Sequence, residues 1–407
     1  MKHILDDIVV IDFSQVIAGP ACTRLMAELG AEVIKVELAP AGDPARLLPM
    51  VRDGHSAYFA QHNQGKRGIC VDLRQPAGLE ILKSLIAKAD VLVENFSPGA
   101  ISRLGLGWDV VAALNPDLIM CSISAFGQDG PLRALPGYDY IAQAYAGVSS
   151  MIGDPDAPPA LPGLALGDIG TSMTALAAIN GALFWRERNN GGGQFLDIAL
   201  LDYYFYSHEL NVEYASLGGA PMRNGGHHGA IAPMGIYRAK QGFIMIITLA
   251  HQWPQVCEAM ARPDLIEDPR FIDNQARLDH VEALTAIIED WLQSFPDTES
   301  ALATLEDARV PVAPILTVGE AMAHPHLLQR GTVRDLHHPA LGTFQVPGNP
   351  LRYSLGLPPA PSKAPALGEN NREVLRQYLG LPDGRLAELE RAGVLTAQNG
   401  STPIPGN

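Results

Sequence analysis

The amino-terminal part of the chain alternates short apolar runs with segments of helical periodicity. The pattern predicts strands over residues 8–13, 32–37, 90–94 and 117–124, and helices over residues 21–29, 77–88 and 108–114. A β-α-β alternation is typical of a parallel sheet, and strands this apolar belong in a sheet that is covered on both faces. We therefore predict an α/β fold.

The rest of the chain carries fewer strand signals. Residues 138–217 are interpreted as mainly helical, with the apolar segment 169–185 as a buried helix and the glycines 191–193 as a turn before residues 194–200. An alternating stretch over residues 235–249 predicts a hairpin. The proline- and glycine-punctuated segment 333–352 is interpreted as a linker, and residues 370–379 as a helix that ends at Gly380.

Turn residues after position 217 mark a change in composition, which predicts a domain boundary. Residues 1–219 are expected to form the first part of a large α/β domain, and residues 220–325 a smaller α+β domain. Residues 326–395 are expected to return to the large domain. Residues 396–407, rich in glycine, serine, proline and asparagine, are predicted to be a disordered tail.

Composition bounds the kind of protein and its partners. A chain of 407 residues with 47% hydrophobic residues can bury the cores of two domains. Its net charge of −15 disfavours binding to nucleic acid or to an anionic membrane. An anionic ligand would need a local basic pocket. Lys66, Arg67, Arg74 and Arg103 stand near predicted element ends and could form one, or could be ordinary solvated surface.

Several function classes lack their signals. Two aspartates before a short apolar run replace the basic start of a secretory signal, so a cytoplasmic location is expected. Segment 169–185 is too short and too interrupted to span a membrane. Four scattered cysteines and the histidine pairs in loops suit neither a disulfide framework nor a metal site. The first β-α turn lacks a dinucleotide fingerprint, and the chain has no Gly-x-Ser-x-Gly.

Asp168 is the most informative carboxylate. It lies in the nearly uncharged stretch 163–170 (GLALGDIG), directly before the predicted buried helix. One interpretation is structural, because aspartate is a favoured helix N-cap. The other is a nucleophile, since a helix N-terminus favours the ionised carboxylate, and flanking glycines leave space and N–H groups for a reacting substrate. The residues alone leave both interpretations open.

The chain resembles the family III CoA-transferases from residue 5 to about residue 379. The segments that carry the resemblance are 12–20 (DFSQVIAGP), 30–37 (GAEVIKVE), 93–99 (VENFSPG), 137–139 (GYD), 167–168 (GD) and 365–368 (PALG), with Asn63, Lys66 and Arg67. The resemblance implies an enzyme that moves CoA from an acyl-CoA to a carboxylic acid without a permanently bound cofactor. It also implies an interlocked homodimer whose Rossmann-like large domain combines amino- and carboxyl-terminal segments.

The resemblance also assigns residues. It implies that Asp168 is the catalytic nucleophile and passes through an aspartyl anhydride and an aspartyl-CoA thioester. The implied CoA site consists of Val16, Ile17, Ala18, Lys66, Arg67, Val71, Asp72, Leu73, Arg74, Asn95, Phe96, Arg103 and Tyr138. The implied loop over the site consists of Gly225, Gly226, His227, His228 and Gly229, and no metal is implied.

Departures from the family pattern bear on the substrate. Ile17 and Leu48 replace a glutamine and a tryptophan of the formyl-CoA:oxalate enzymes, so oxalate is not expected as the preferred acceptor. A C4 or C5 dicarboxylate or similar acid is expected instead, with succinyl-CoA or acetyl-CoA as donor. Leu38 and Pro136 replace basic residues that some relatives direct at CoA phosphates, which leaves that role to the four basic residues named above.

Two alternative functions remain open at this point. An α-methylacyl-CoA racemase shares the fold, but it carries Gly-His-Asp where this chain has Gly137-Tyr138-Asp139. A tyrosine, whose ordinary pKa is about 10, is a poor group for proton exchange at neutral pH. A non-catalytic acyl-CoA-binding protein would have the pocket but no need for Asp168.

Overall fold

The computed structural model describes residues 3–355 and 363–398. The strands are β1 (Val9–Asp12), β2 (Glu32–Leu38), β3 (Val51–Arg52), β4 (His55–Ser56), β5 (Arg67–Val71), β6 (Val91–Glu94), β7 (Ile119–Ser124), β8 (Gln194–Ala199), β9 (Met234–Arg238), β10 (Phe243–Ile247), β11 (Val312–Pro314), β12 (Val333–His338) and β13 (Gly342–Pro347). The α-helices are α1 (Ala18–Glu28), α2 (Ala57–His62), α3 (Pro76–Ile86), α4 (Ala100–Arg103), α5 (Trp108–Leu114), α6 (Asp139–Tyr145), α7 (Leu166–Arg188), α8 (Leu200–Tyr206), α9 (Asn211–Ser216), α10 (Trp253–Ala259), α11 (Asn274–Asp279), α12 (Val281–Gln293), α13 (Thr298–Asp307), α14 (Val318–Ala323), α15 (Pro325–Gln329), α16 (Asn371–Leu379) and α17 (Asp383–Arg391).

The chain divides into two units. The large unit combines the residues up to Ala146, Leu164–Ser207 and the residues from Pro325 onward. It contains a parallel sheet with the strand order β5-β2-β1-β6-β7-β8, which confirms the predicted α/β class. Because β1 lies between β2 and β6, the loops after β1 and β6 diverge and open a crevice at the carboxyl ends of the strands.

The core of the large unit joins both ends of the chain. Ile11, Leu92 and Met120 of the sheet belong to one buried cluster with Leu82 of α3 and Val374 of α16. Strand residues that alternate with these, such as those of β1, β2 and β6 on the other face, are buried as well. The sheet is therefore covered on both faces, as its apolar strands predict.

Residues 194–199 form an edge strand within the region 138–217, which is otherwise mainly helical, as predicted. β8 pairs in parallel with β7 along its whole length. The N–H of Gly193 donates to Pro116 O at 2.7 Å, which ties the preceding turn to the loop before β7. The strand was not predicted, because pairing with a distant strand, which no local pattern reveals, decides the structure of so short a segment.

The predicted linker 333–352 contains a hairpin. β12 and β13 pair antiparallel, and Leu336 and Val346 are buried in a small cluster with Phe59. The two prolines Pro339 and Pro347 are compatible with this hairpin, because they stand in the turn and at a strand end, where a missing N–H is tolerated. The next predicted element, the helix over 370–379, is confirmed by α16.

The second unit consists of Gly147–Gly163 and His208–His324. β9 and β10 form the predicted hairpin, and β11 extends it to a three-stranded antiparallel sheet. Its core packs Tyr237 and Ile244 of this sheet with residues such as Trp253, Ile288 and Leu305 of the neighbouring helices. In neither unit is a described helix long and apolar enough to cross a membrane.

The carboxyl-terminal end of the described chain is tied to the large unit. The N–H of Thr396 donates to Cys70 O at 3.1 Å, and that of Gln398 donates to Leu367 O at 2.9 Å. From residue 399 onward, the predicted disordered tail lies outside the described residues. All four cysteines are described, buried and free of disulfide bonds.

Candidate active site

A cavity of about 380 Å³ opens at the carboxyl ends of β1, β6 and β7. Its lining comes from residues 15–18, 95–98, 123–125 and 135–138, with Pro44, Asp168 and Leu200. This position is the switch point of the sheet, where open α/β folds bind their ligands. The structure thus brings together Asp168, Tyr138 and the predicted CoA-binding segments 16–18 and 95–96.

Hydrogen bonds hold the loop after β1 in one shape. Asn95 accepts the N–H of Gln15 at 2.7 Å and donates to Gln15 O at 2.8 Å. The Asp43 carboxylate accepts the N–H of Val16 at 3.2 Å. Val16 has φ 65°, a left-handed conformation that β-branched residues rarely adopt. The surrounding contacts therefore hold a strained backbone in the cavity lining.

A buried network of ion pairs supports this loop. Lys35 Nζ donates to Asp43 at 2.7 Å and to Ser14 O at 2.5 Å, and Lys66 Nζ pairs with Asp12 at 2.9 Å. Burial by itself raises the pKa of Asp12, but the charges of Lys66 and Lys35 outweigh it and lower this pKa to about 2. Removing one partner would leave a buried charge uncompensated, so the network stabilises the loop only as a whole.

Lys66 and Arg67 have partners inside the protein. The Lys66 ammonium is buried and lies within 3.0 Å of three acceptors, which match its three donors. Arg67 pairs with Glu32 and, at 3.2 Å, with Glu373. Neither residue is among those that line the cavity.

The other predicted basic groups face solvent. Arg74 pairs with Asp72 at 2.8 Å, yet its side chain is 74% exposed. Arg103 is the exposed last residue of α4. Segment 71–74 and Arg103 do not contribute to the cavity lining. The structure therefore places these two guanidinium groups outside the cavity, where they could meet only a ligand that extends beyond it.

Asp168 is the third residue of α7, and it lines the cavity. Ala165 is the N-cap of this helix, so the interpretation of Asp168 as a cap is wrong. No hydrogen bond from the described residues reaches the Asp168 carboxylate. Burial, and after it the charge of Asp139, raise the pKa of Asp168 to about 7. Burial therefore opposes the ionised form that the sequence-based interpretation expects the helix N-terminus to favour.

Two side chains from other helices hold the first turn of α7. Asp139 Oδ2 accepts the N–H of Asp168 at 3.0 Å, and Tyr204 Oη accepts the N–H of Gly167 at 2.9 Å. The Tyr204 hydroxyl in turn donates to Asp139. Sequence analysis noted Asp139 only within a family motif and missed Tyr204, because its position depends on the packing of α8 against α6 and α7.

The glycines beside Asp168 make room for tyrosine rings. A Cβ on Gly167 would lie 2.2 Å from the Tyr204 ring, and one on Gly170 would lie 1.8 Å from the Tyr203 ring. The expectation that these glycines leave space and an unbound N–H for the substrate is wrong, since tyrosines fill the space and Tyr204 accepts the Gly167 N–H. Their absent side chains serve packing of α8 on α7.

The charge of Asp168 also affects the pKa of Tyr58 on α2. Burial first, and then the charges of Asp168 and Asp43, raise the pKa of Tyr58 above its ordinary value. The Tyr58 ring contacts His62, with 5.0 Å between ring centroids, and burial lowers the pKa of His62 to about 3. Both aromatic groups are therefore neutral near pH 7.

Among the described residues, no group of three or more His, Cys, Asp or Glu could hold a metal ion.

The predicted loop 225–229 lies in the second unit beside β9. Ile236 donates its N–H to Gly226 O at 2.8 Å, and His228 donates to Met234 O at 2.9 Å. Burial lowers the pKa of His227. These bonds define the loop within its own unit, and its role as a cover of the site stays a prediction.

Known proteins similar to this chain cover nearly its whole length. A formyl-CoA:oxalate CoA-transferase of Rhodopseudomonas palustris is 34% identical over 420 residues, which cover 97% of this chain and 98% of the relative. A succinyl-CoA–D-citramalate CoA-transferase of Chloroflexus aurantiacus is 34% identical over 396 residues, covering 96% and 98%. The crystal structure of a CAIB/BAIF family protein from Brucella suis matches with a TM-score of 0.81 at 32% identity, covering 93% of this chain and all of that one. The sequence model of CoA-transferase family III matches residues 5–371, and the chain therefore belongs to this family of enzymes.

Proposed function

We propose that this protein transfers CoA from an acyl-CoA to a carboxylic acid with Asp168 as the covalent nucleophile. The observation that carries the proposal is a half-buried carboxylate that lines the switch-point cavity and accepts no hydrogen bond from the described residues. A carboxylate without donors keeps its lone pairs available for attack. Membership in CoA-transferase family III supplies the reaction class.

The proposed reaction conserves the energy of the thioester. An oxygen of ionised Asp168 attacks the thioester carbon, the C–S bond breaks, and a mixed anhydride and CoA thiolate form. The thiolate attacks the aspartyl carbon, which releases the donor acid and leaves an aspartyl-CoA thioester. The acceptor carboxylate attacks this thioester and forms a second anhydride, from which CoA thiolate takes the acyl group and frees Asp168. Water would hydrolyse either anhydride, so it must be excluded.

We propose that the cavity binds the thioester end of CoA. Segments 16–18 and 95–96, with Tyr138, offer a backbone held in one shape, which suits a ligand that must stay bound while its sulfur is free. Segment 71–74 and Arg103 are proposed for the outer part of CoA, because exposed guanidinium groups suit phosphates. Lys66 and Arg67 are left out of this set, since acceptors inside the protein already engage them.

We propose a C4 or C5 dicarboxylate or similar acid as acceptor, with succinyl-CoA or acetyl-CoA as donor. Ile17 and Leu200 give the cavity an apolar part, and one relative is named for succinyl-CoA and D-citramalate. Leu48 packs on the cluster around Phe59 and does not line the cavity. Of the two replaced positions, only Ile17 can therefore disfavour oxalate by direct contact. Transfer rates across a panel of acids test this, and a clear preference for oxalate would reject it.

The covalent step is tested by replacing the nucleophile. Asp168→Asn keeps the size of the side chain but should abolish CoA transfer and the adduct that hydroxylamine traps on the wild-type protein. Asp109→Asn is the control, because Asp109 is an exposed acid in the first turn of another helix. Transfer that survives in Asp168→Asn, or trapping that finds no adduct on Asp168, would overturn the proposal.

The wild-type protein and Asp168→Asn also distinguish CoA transfer from the two alternative functions. A racemase would exchange the α-proton of an acyl-CoA with deuterated solvent without any acceptor acid. A binding protein would hold acyl-CoA unchanged. Tyr138 stands where racemases carry histidine, and it is 81% exposed. Enzymes shift the pKa of a general base toward neutral pH by burial, and Tyr138 lacks that burial. We expect no α-deuteration beyond the background rate.

We propose that two copies of the chain form an interlocked homodimer. Large apolar side chains of α7 and α8 are exposed in the single chain, with Phe184 at 63%, Phe205 at 53% and Tyr206 at 90%. Exposed apolar surface of this kind marks a protein interface. The family resemblance supplies the second copy as the partner.

A further inference from the structure

We infer that Asp139 and Tyr204 are positioning residues that aim the carboxylate of Asp168 into the cavity, an inference that rests on the proposed function. A helix leaves the first N–H groups of its backbone without partners inside the helix. In α7 the N-cap side chain supplies no acceptor, because it is an alanine. The acceptors come from α6 and α8 instead, through Asp139 and Tyr204.

The bond to Asp139 acts on the nucleophile itself. It joins Asp139 Oδ2 to the backbone N–H of Asp168 at 3.0 Å, one bond from the Cα that carries the reacting side chain. Tyr204 holds the preceding residue and donates to the other oxygen of Asp139. The two groups thus form a closed set of hydrogen bonds around residues 167 and 168. A displacement of about 1 Å at a reacting group is enough to lower a rate by about 100-fold.

Neighbouring residues hold Asp139 and Tyr204 in this arrangement. Asp139 is only 7% exposed, and Gln143 Nε2 donates to Tyr204 Oη at 3.2 Å. The Tyr204 ring covers Gly167 so closely that no other residue at position 167 would leave the ring in place. Three helices therefore meet at the proposed nucleophile, and these contacts hold Asp139 and Tyr204 against its first turn.

The charge of Asp139 gives this arrangement a signature in pH. It adds to burial in raising the pKa of the proposed nucleophile. Burial raises the pKa of two nearby tyrosines, Tyr204 on α8 and Tyr58 on α2, so neither hydroxyl titrates near pH 7. Burial also raises the pKa of Glu94, at the end of β6, to about 7, so only a difference between Asp139→Asn and the wild type is attributed to Asp168. Removing the Asp139 charge should therefore shift the ionisation of Asp168 to lower pH.

Two variants test the inference. In Tyr204→Phe the ring over Gly167 stays and the hydroxyl is lost, so kcat should fall at least about tenfold while KM for acyl-CoA changes little. In Asp139→Asn, kcat should fall as well, and the acidic limb of kcat/KM should move to lower pH. Each pH profile is scaled to its own plateau, so a smaller folded fraction does not imitate the shift. Tyr203→Phe and Asp109→Asn are matched controls and should keep wild-type rates and profiles.

The outcomes separate this inference from the proposed function. If Asp168→Asn is inactive while Asp139→Asn keeps the wild-type acidic limb, or Tyr204→Phe keeps the wild-type kcat, the positioning role is rejected and the nucleophile stands. If Asp168→Asn still transfers CoA, the proposed function itself fails. A lower kcat in Tyr204→Phe together with a shifted limb in Asp139→Asn supports the inference.

Discussion

The carboxylate of Asp168 accepts no hydrogen bond from the described residues, and its pKa is raised to about 7 by burial and by Asp139. At neutral pH a large share of the group is therefore protonated and cannot attack. The ionised share is more reactive than a fully solvated carboxylate, since fewer hydrogen bonds must be broken before it reacts. At the residue scale, the same environment sets both the reactivity of the ionised Asp168 carboxylate and the fraction of the group that is ionised.

The first prediction concerns the pH dependence of the rate. Because only ionised Asp168 attacks, kcat/KM should decrease as the pH falls through about 7 and level off above it. Initial rates measured with a donor and an acceptor whose own carboxyl groups titrate far below this range would show this decrease of kcat/KM. A profile that is flat from about pH 8 down to about pH 5 would contradict the raised pKa.

The second prediction concerns stability. The pKa of Asp168 is 3.8 in the unfolded chain and about 7 in the fold, so the folded protein binds the proton more tightly. The contribution of Asp168 to the free energy of unfolding therefore declines as the pH rises from about 4 to about 7. Asp168→Asn removes this penalty and should raise the free energy of unfolding by about 1–3 kcal/mol at about pH 8 and by little at about pH 4.

Urea unfolding of both proteins at the two pH values is the measurement, with Asp109→Asn as the control. Equal stability of Asp168→Asn and the wild type at the higher pH would show that the carboxylate is not destabilised by its site. The expected gain would be an instance of active-site strain, in which the reactive group lowers the stability of the fold that holds it.

At the scale of the element, α7 begins in an unusual way. Its first turn is capped from α6 and α8 and not by its own N-cap residue. Gly167 is necessary for this arrangement, because the Tyr204 ring occupies the place of a side chain. The helix therefore depends on tertiary packing at the end where the proposed nucleophile lies.

The third prediction compares two glycines of α7. Gly167→Ala should lower the free energy of unfolding by about 1–3 kcal/mol, because the added methyl group overlaps the Tyr204 ring. Gly181→Ala, in the same helix and with no atom within 4 Å of its Cβ, should raise it by about 0.5–1 kcal/mol. Thermal or urea unfolding measures both. Equal effects of the two substitutions would refute the proposed packing role of Gly167.

Sequence patterns predict the elements whose residues are buried on a regular period. The strands β1, β2, β6 and β7 and the helices α3, α5 and α16 lie where periodicity predicts them. β5 and β8 escaped prediction, since they are short and exist through pairing with neighbours distant in sequence. α17 also escaped, because its two buried leucines, Leu386 and Leu389, are too few to form a periodic pattern.

The whole molecule is expected to be larger than one chain. If the proposed interlocked homodimer forms, light scattering should give the mass of two chains, and mixing tagged with untagged protein should produce no mixed dimers until the protein is unfolded. Threaded subunits cannot separate without breaking the fold, which is the reason for the slow exchange. A monomer would refute the dimer, and rapid exchange would refute the interlocking.

The sequence by itself determined the α/β class, the parallel sheet, the family and Asp168 as the candidate nucleophile. These follow from periodic burial and from motifs, both of which are local in the chain. Only the tertiary structure decided that Asp168 is no helix cap, that its pKa is raised, that Lys66 is buried in an ion pair, and that Asp139 and Tyr204 hold the turn. Such properties depend on which groups meet in space and on how much water they lose there, and neither is written in the spacing of residues along a chain.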